Sequence, residues 1–299
     1  MATQSQDTNV NIAAPALPPG PATYSKSYLD QLTNILRLYF NQVDNAIRNA
    51  VANTVPYNLR VSQGNVAGAT SLYKFGYNSA VGTSEETIWA EGGIYAYPSS
   101  AATVYVSSTD ANDAFPSGTG ARTVRVQGLD ENYLEVSVDV ELNGQTQVET
   151  TGVSFIRVFR AFVLTSGSGG TAAGTVYVGT SGGAGGVPPV VYANLSTGNQ
   201  TQLALYTVPA GKTLYLDDVV FTAGISLANN YATVSLMTRE FGSNTFRTKV
   251  IQTLQSNELV LPFTYPLAIP AKTDIECRAV ATITGNEISA AFSGVLIEG

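Results

Sequence analysis

No histidine occurs anywhere in the 299 residues. That absence removes the commonest general base, the commonest metal ligand and every Ser-His or Cys-His nucleophile arrangement, and with them most hydrolase mechanisms. Cysteine is nearly as scarce. Cys277 stands alone, so no intrachain disulfide can form, and stability must come from packing or from association. Its place in an alternating run reads as a small buried hydrophobe, not a reactive thiol. Charged residues make up only 12% of the chain, about half the usual share, so Thr, Ser, Asn and Gln must supply much of the polar surface. The formal charge is −7 and the 15 Lys and Arg are scattered. No basic footprint for phosphates exists, and nucleic acid is not an expected partner. Nowhere do about 18 apolar residues run uninterrupted, and residues 1–22 hold no Lys, no Arg and no apolar run. Neither a signal peptide nor membrane insertion is expected.

What is present favours strands. Hydrophobic residues reach 44%, Val, Thr and the 16 Tyr are prominent, and 28 Gly with 13 Pro mark frequent turns. β-branched and aromatic side chains suit a pleated, half-buried surface, so the fold class is mainly β. The length favours more than one compact unit. The expected organisation is an extended docking arm at 1–22, an amphipathic helix within 23–55, and two antiparallel β-sandwich domains at 56–187 and 188–299, the second jelly-roll-like.

The arm ends in an Ala/Pro-rich stretch, Ala14 to Pro21, which leans towards polyproline geometry and, extended, reaches on the order of 70 Å. Such a segment orders only by lying on a neighbour. The helix is expected to open at Ser27, with Asp30 three residues on, and to run to about Asn53 before Pro56. Its apolar residues fall in heptad register, with Leu29, Leu36, Val43 and Ala50 at one seam position and Leu32, Tyr39 and Ala46 at the other. Ile35, Leu38, Phe40 and Ile47 widen the stripe beyond what a two-stranded coil buries. Three or more helices associating, or packing on another protein, would cover it; the alternative is a helix folded on its own β domain.

From Leu59 the period changes to two, most clearly where Val136, Val138, Val140 and Leu142 alternate with Glu135, Ser137, Asp139 and Glu141. Asn143-Gly144 signals a type I′ hairpin with Val148 on the return strand. Phe155–Leu164 and Val176–Val178 read as further strands, and Gly182 to Pro189 as a linker. After it, evenly spaced short strands from Thr201 to Ile297 imply a sandwich or jelly roll.

Chemistry is hard to find. Ala210-Gly211-Lys212-Thr213 resembles the end of a phosphate loop, but Tyr206 stands where its first Gly belongs and no helix follows, so a turn is expected. Gly118-Thr119-Gly120 lacks a strand-to-helix setting. Asp110-Ala111-Asn112-Asp113 has the oxygen density calcium accepts but lacks the Gly and distal Glu of the twelve-residue loop. Carboxylate pairs for glycoside cleavage would have to come from Glu85, Glu86, Glu91, Asp110, Asp113, Asp217 or Asp218, with solvated strand faces or turns as the plainer reading. Tyr24, Tyr28, Trp89, Tyr95, Tyr97 and Tyr105 have the chemistry to stack on sugars, but sandwich cores use aromatics in the same way. No catalytic, cofactor-binding or metal residue and no cofactor is expected.

The run from Tyr24 to Asn45, YSKSYLDQLTNILRLYFNQVDN, resembles the N-terminal helix of virion structural proteins from tailed marine phages, especially those infecting cyanobacteria. Lys74-Phe-Gly-Tyr-Asn78, Glu86-Thr-Ile-Trp89, Gly92-Gly-Ile-Tyr-Ala-Tyr-Pro98, Gly118-Thr-Gly-Ala-Arg-Thr-Val124, Gly128-Leu-Asp130 and Tyr206-Thr-Val-Pro-Ala-Gly-Lys-Thr213 are similar to pieces of that group. The resemblance implies a virion component, fibre- or decoration-like, with no catalytic residue to carry over. The expected protein is non-enzymatic, made in the host cytoplasm and carried on the exterior of the phage particle as a tail-fibre, tail-associated or head decoration protein. Its partners would be copies of itself, as a homotrimer, and neighbouring capsid or tail proteins. The alternative is a receptor-binding module for host-surface glycans, seated in residues 190–299 with Tyr231 and Phe241 exposed. A glycan-depolymerising enzyme is disfavoured because repetitive β-helical sequence is absent.

Overall fold

The computed structural model describes residues 15–17, 19–20, 22–23, 25–52, 55–196, 198–225 and 229–299, the side chains of 49–52 excepted. The chain divides into two units, Met1–Ala67 and Gly68–Gly299. Most of the expected docking arm lies outside the described residues.

The first unit holds helices α1 (Lys26–Ala52) and α2 (Tyr57–Ser62). Ser25, not Ser27, caps α1: its Oγ accepts from the Tyr28 N–H at 3.5 Å and its carbonyl from the Leu29 N–H at 3.3 Å. The cap must precede the first turn to reach its orphan N–H groups, and Ser27 already lies inside that turn. The period-two pattern expected from Leu59 is delayed to Ala69. Pro56, with φ −51°, precedes the one-and-a-half turns of α2, a conformation proline favours at helix starts.

The second unit contains the strands. They are β1 (Ala69–Val81), β2 (Glu86–Thr87), β3 (Tyr105–Ser108), β4 (Ala121–Leu129), β5 (Glu135–Glu141), β6 (Val148–Glu149), β7 (Arg157–Ser166) and β8 (Val176–Gly179). There follow β9 (Val191–Leu195), β10 (Leu205–Thr207), β11 (Lys212–Gly224), β12 (Ala232–Arg239), β13 (Arg247–Leu254), β14 (Glu258–Ile269), β15 (Asp274–Ala281) and β16 (Asn286–Glu298). The fold is mainly β with antiparallel pairing, as the composition implied.

The sheets group into two sandwiches. In the outer one, a sheet ordered β1-β16-β11-β14 and a sheet ordered β10-β15-β12-β13, with β2 on β15, share one core. Phe221 and Phe292 from one sheet meet Leu236 and Cys277 from the other. In the inner one, β6-β3-β8-β9 and β5-β4-β7 close on Val106, Val126, Val140 and Val178. The inner sandwich is inserted between β2 and β10 of the outer one. The first strand of the unit therefore pairs with the last, Ala69 opposite Ile297 and Phe75 opposite Ala291.

Residue 188 is accordingly not where the sheets part, because β8 and β9, on either side of it, are paired neighbours. The glycines of 182–186 supply positive φ for a packed turn instead of a linker. A Cβ on Gly186 would stand 1.9 Å from the Ser108 carbonyl oxygen, and the Gly186 carbonyl accepts from Ser107 Oγ at 2.9 Å.

Asn143-Gly144 does not join paired strands: β5 pairs with β4 and β6 with β3 in the opposite sheet, and the tight turn that forms is centred one residue on, at Gly144-Gln145, with the Thr146 N–H donating to the Asn143 carbonyl at 3.0 Å. The backbone there is taken by the loop before β4. The Gly144 N–H donates to the Asp113 carbonyl at 2.8 Å, and the Gly144 carbonyl accepts from the Ser108 N–H at 2.9 Å. The local turn and these tertiary bonds coexist, and the strands on either side of the turn separate into different sheets.

Residues 199–204 join the sandwiches. The Val163 N–H donates to Asn199 and the Thr201 N–H to Ala161 on the β7 side, while the Leu203 N–H donates to Phe75 on β1 at 2.8 Å. Trp89, Tyr95, Val191, Leu203 and Leu205 form a small apolar cluster at this junction. Trp89 and Tyr95 meet edge to face at 5.2 Å, so these rings are core and not an open stacking platform.

Candidate functional site

The residues marked by the heptad pattern all lie on α1. No described side chain of that helix is buried. Leu32, Ile35, Leu36, Tyr39, Val43 and Ala46 are half-exposed along one stripe, and Leu29, Phe40 and Ile47 are exposed, Phe40 at 63%. Ala50 falls among the side chains outside the description. The stripe runs beside an exposed i, i+4 ion pair, Arg48 to Asp44 at 2.8 Å, which contributes little to stability.

In the β unit, the densest charge lies at the junction. Asp274 on β15 is buried and accepts from Arg157 Nε at 2.8 Å and Nη2 at 3.0 Å, from Arg239 Nη2 at 2.6 Å and from Thr207 Oγ1. Arg157 comes from the inner sandwich, and its Nη1 also donates to the carbonyls of Pro98 and Ile156. Burial alone would lower its pKa, but Asp274 outweighs that and holds the guanidinium above its ordinary range. One residue pair further along β15, buried Glu276 accepts from Arg278 Nε at 2.9 Å and from the Tyr97 hydroxyl at 3.1 Å. Burial first, then Glu276, pushes the Tyr97 hydroxyl well above its usual pKa. The Tyr97 ring lies under both Arg157 and Arg239, at 5.1 and 4.4 Å. Each cation here has its counter-charge, so the cluster clamps the two sandwiches and presents no free acid or base.

Two clefts flank this junction. One, of about 320 Å³, is lined by Tyr97, Tyr133, Phe241 and Lys272, with the Lys272 ammonium 4.9 Å from the Phe241 ring. The other, of about 630 Å³, lies between edge strand β1 and strands β5 and β7 and is lined by Lys74, Arg160 and Gln127. The sequence singles out Lys74, Tyr97 and Phe241, but nothing in it places them in a cleft. Lys74 is 8% exposed while its neighbour Tyr73 is 67% exposed, the reverse of what their side chains suggest.

The remaining sequence candidates are held in structural contacts. Asp113 is buried and accepts from Ser108 Oγ and the N–H groups of Ala121, Ala173 and Gly174, while Asp110 accepts from Asn112. Donors occupy the oxygens that a calcium ion would need. Glu85 pairs with Arg278, Glu91 accepts from Asn194, and Glu86 accepts from Asn78 and the N–H groups of Gly82 and Gly93. Asp218 accepts from Ser293, and burial followed by Asp218 raises the pKa of Asp217. Among the described residues no group of His, Cys, Asp or Glu is arranged to hold a metal ion. Pro209-Ala210-Gly211 is a turn between β10 and β11, with Gly211 at φ 73°. Cys277 is buried, its thiol pushed far up in pKa by burial and then by Glu276. Tyr231 and Phe241 are exposed; Tyr24 lies outside the described residues. No described helix is long and apolar enough to cross a membrane.

No protein-family model and no curated protein matches the chain. Among solved structures it is weakly similar to a chain of infectious bursal disease virus Gx strain, at 11% identity and a TM-score of 0.22, covering 77% of this chain and 72% of that one. A chain of the Gt strain of the same virus gives 12% identity and a TM-score of 0.21 over 82% of this chain and 78% of that one. Scores of that size do not establish a shared fold, and the functional reading rests on the chain's own residues.

Proposed function

We propose that the chain is a non-enzymatic structural component of a virus particle, docked by its N-terminal segment and helix α1 and holding its β unit outward. The observation that carries this reading is the apolar stripe of α1, which has no buried residue along its described length. Exposed apolar area is unfavourable by about 25 cal/mol per Å². Copies of the same helix cover the stripe, and its width suits three or more of them. The β unit supports the reading: the buried carboxylates at its junction, Asp274 and Glu276, are paired with arginines, and its sequence carries no histidine. The finer assignment, a tail-fibre, tail-associated or head decoration protein of a tailed phage, takes its support from the resemblance of the Tyr24 to Asn45 run.

Light scattering on the full chain tests the reading. The native chain is expected as a trimer, and Leu36→Asp with Val43→Asp as a monomer, since each unpaired charge in the seam costs several kcal/mol, roughly. Circular dichroism should show the strands intact. A native chain that is already monomeric, or a mass unchanged by both substitutions, overturns the proposal.

A second reading, contact with host-surface glycans, is favoured by the cation-lined cleft at Lys74. It does not belong to a separable segment 190–299, because β1 and β2 complete both sheets of the outer sandwich.

A further inference from the structure

Lys74 sits on the inward face of β1, the edge strand beside the inner sandwich. Its ammonium carries three N–H groups, yet its one protein acceptor is the Phe159 carbonyl. It makes no ion pair among the described residues. Arg160, on β7, lines the same cleft, stacks on Phe162 at 4.9 Å and is likewise without a carboxylate partner among the described residues. Two cations therefore face one open volume in a chain whose net charge is −7. Glu135 also lines it, but is held by Lys212 at 2.6 Å. The Gln127 and Gln200 side chains on the cleft wall have no hydrogen-bond partner among the described residues. Exposed Tyr73 stands at the rim.

Each feature matches part of one ligand. An ammonium beside a planar guanidinium fits a carboxylate, which accepts in charge-assisted and bidentate fashion. Primary amides both donate and accept, as paired sugar hydroxyls require. An exposed tyrosine offers an apolar face to a pyranose ring. The geometry points to a binding site for a carboxylate-bearing sugar, its carboxylate between Lys74 and Arg160 and its ring against Tyr73. The proposal rests on the glycan-contact reading and leaves the docking role of α1 untouched, which light scattering reads separately.

The site has a pH signature. Burial and then Arg160 hold the Lys74 amine down at about 7, and an anionic ligand raises it again. The other titratable or charged groups around it are Glu135 with Lys212, Tyr73 on β1 and Tyr206 on β10. The test is calorimetric titration of the full chain with glucuronate at pH 6 and pH 9, with glucose and inorganic phosphate as controls. Glucuronate should bind at pH 6 and weaken roughly tenfold to a hundredfold in Arg160→Gln, the loss expected for one hydrogen bond to a charged group. Lys74→Met, which keeps the length and removes the charge, should weaken it similarly and abolish the difference between pH 6 and pH 9. Absence of glucuronate binding overturns the site. Equal binding of glucose overturns the role of the cations, equal binding of phosphate overturns the sugar, and affinity unchanged in both variants overturns the placement.

Discussion

Asp274→Asn is the sharpest test of the clamp between the sandwiches. The amide keeps the volume of the carboxylate, so no cavity opens, but it removes the charge facing Arg157 and Arg239 and turns an N–H₂ towards their N–H groups. Arg157 and Asp274 side chains are 8% and 4% exposed, so water does not replace what is lost. Removing one partner of a buried pair costs about 3–5 kcal/mol. With a urea dependence of about 1–3 kcal/mol per molar, the unfolding midpoint should fall by about 1 M or more. The control is Asp139→Asn, which breaks the Arg125 pair on the exposed face of β4 and β5, where both partners are near 40% exposed. Water screens that pair, and the midpoint should hardly move. Chemical denaturation followed by tryptophan fluorescence suits the measurement, because Trp89 sits in the junction cluster. Equal shifts for the two variants, or no shift for Asp274→Asn, would refute the claim that this carboxylate holds the sandwiches together.

Other expectations follow from the same structure. Gly76→Ala should cost about 1–3 kcal/mol in denaturant, because its new Cβ would stand 2.2 Å from the Ala204 nitrogen and 2.3 Å from the Ile88 carbonyl oxygen; a neutral result would mean that β1 does not pack there. Between about pH 7 and 10 the unfolded chain keeps a proton on Lys74 that the folded chain has released, so stability should rise with pH across that window. Above it, burial keeps Tyr95 and Tyr206 protonated in the folded state alone, and stability should fall. Lys74→Met should flatten the rise, and a rise of unchanged slope would contradict the burial of that amine. Cys277 should react with maleimide at pH 8 only as fast as the chain unfolds; rapid stoichiometric labelling of native protein would show the thiol to be reachable.

The strands were readable wherever alternation met a one-sided sheet. Val136, Val138 and Val140 marked β5, and strands do follow residue 201, though β11, β14 and β16 are longer than the short strands expected there. The helix and its stripe were equally plain, because a 3.6-residue period leaves the same trace whether or not a partner is present. The insertion was not readable. The partner of β1 lies at the far end of the unit, and no local signal encodes it. The Gly-rich turn at 182–186 looked like a linker because glycine serves both a loose chain and a crowded one. The Lys74 cleft was hidden by a reversed pattern: Tyr73, Phe75 and Tyr77 resemble a core face, yet Lys74, Gly76 and Asn78 point inward. Gly76, small where other backbone comes close, was the one cue available.

The pairing of β1 with β16 has a consequence for how the protein is made. A ribosome delivers β1 well before β16, so the inner sandwich can close while β1 still lacks the strand it pairs with. An unpaired edge waiting through synthesis invites pairing with another nascent chain. Slow completion of the sheet, delayed until β16 emerges, is the biosynthetic cost of inserting one sandwich within the sequence of another.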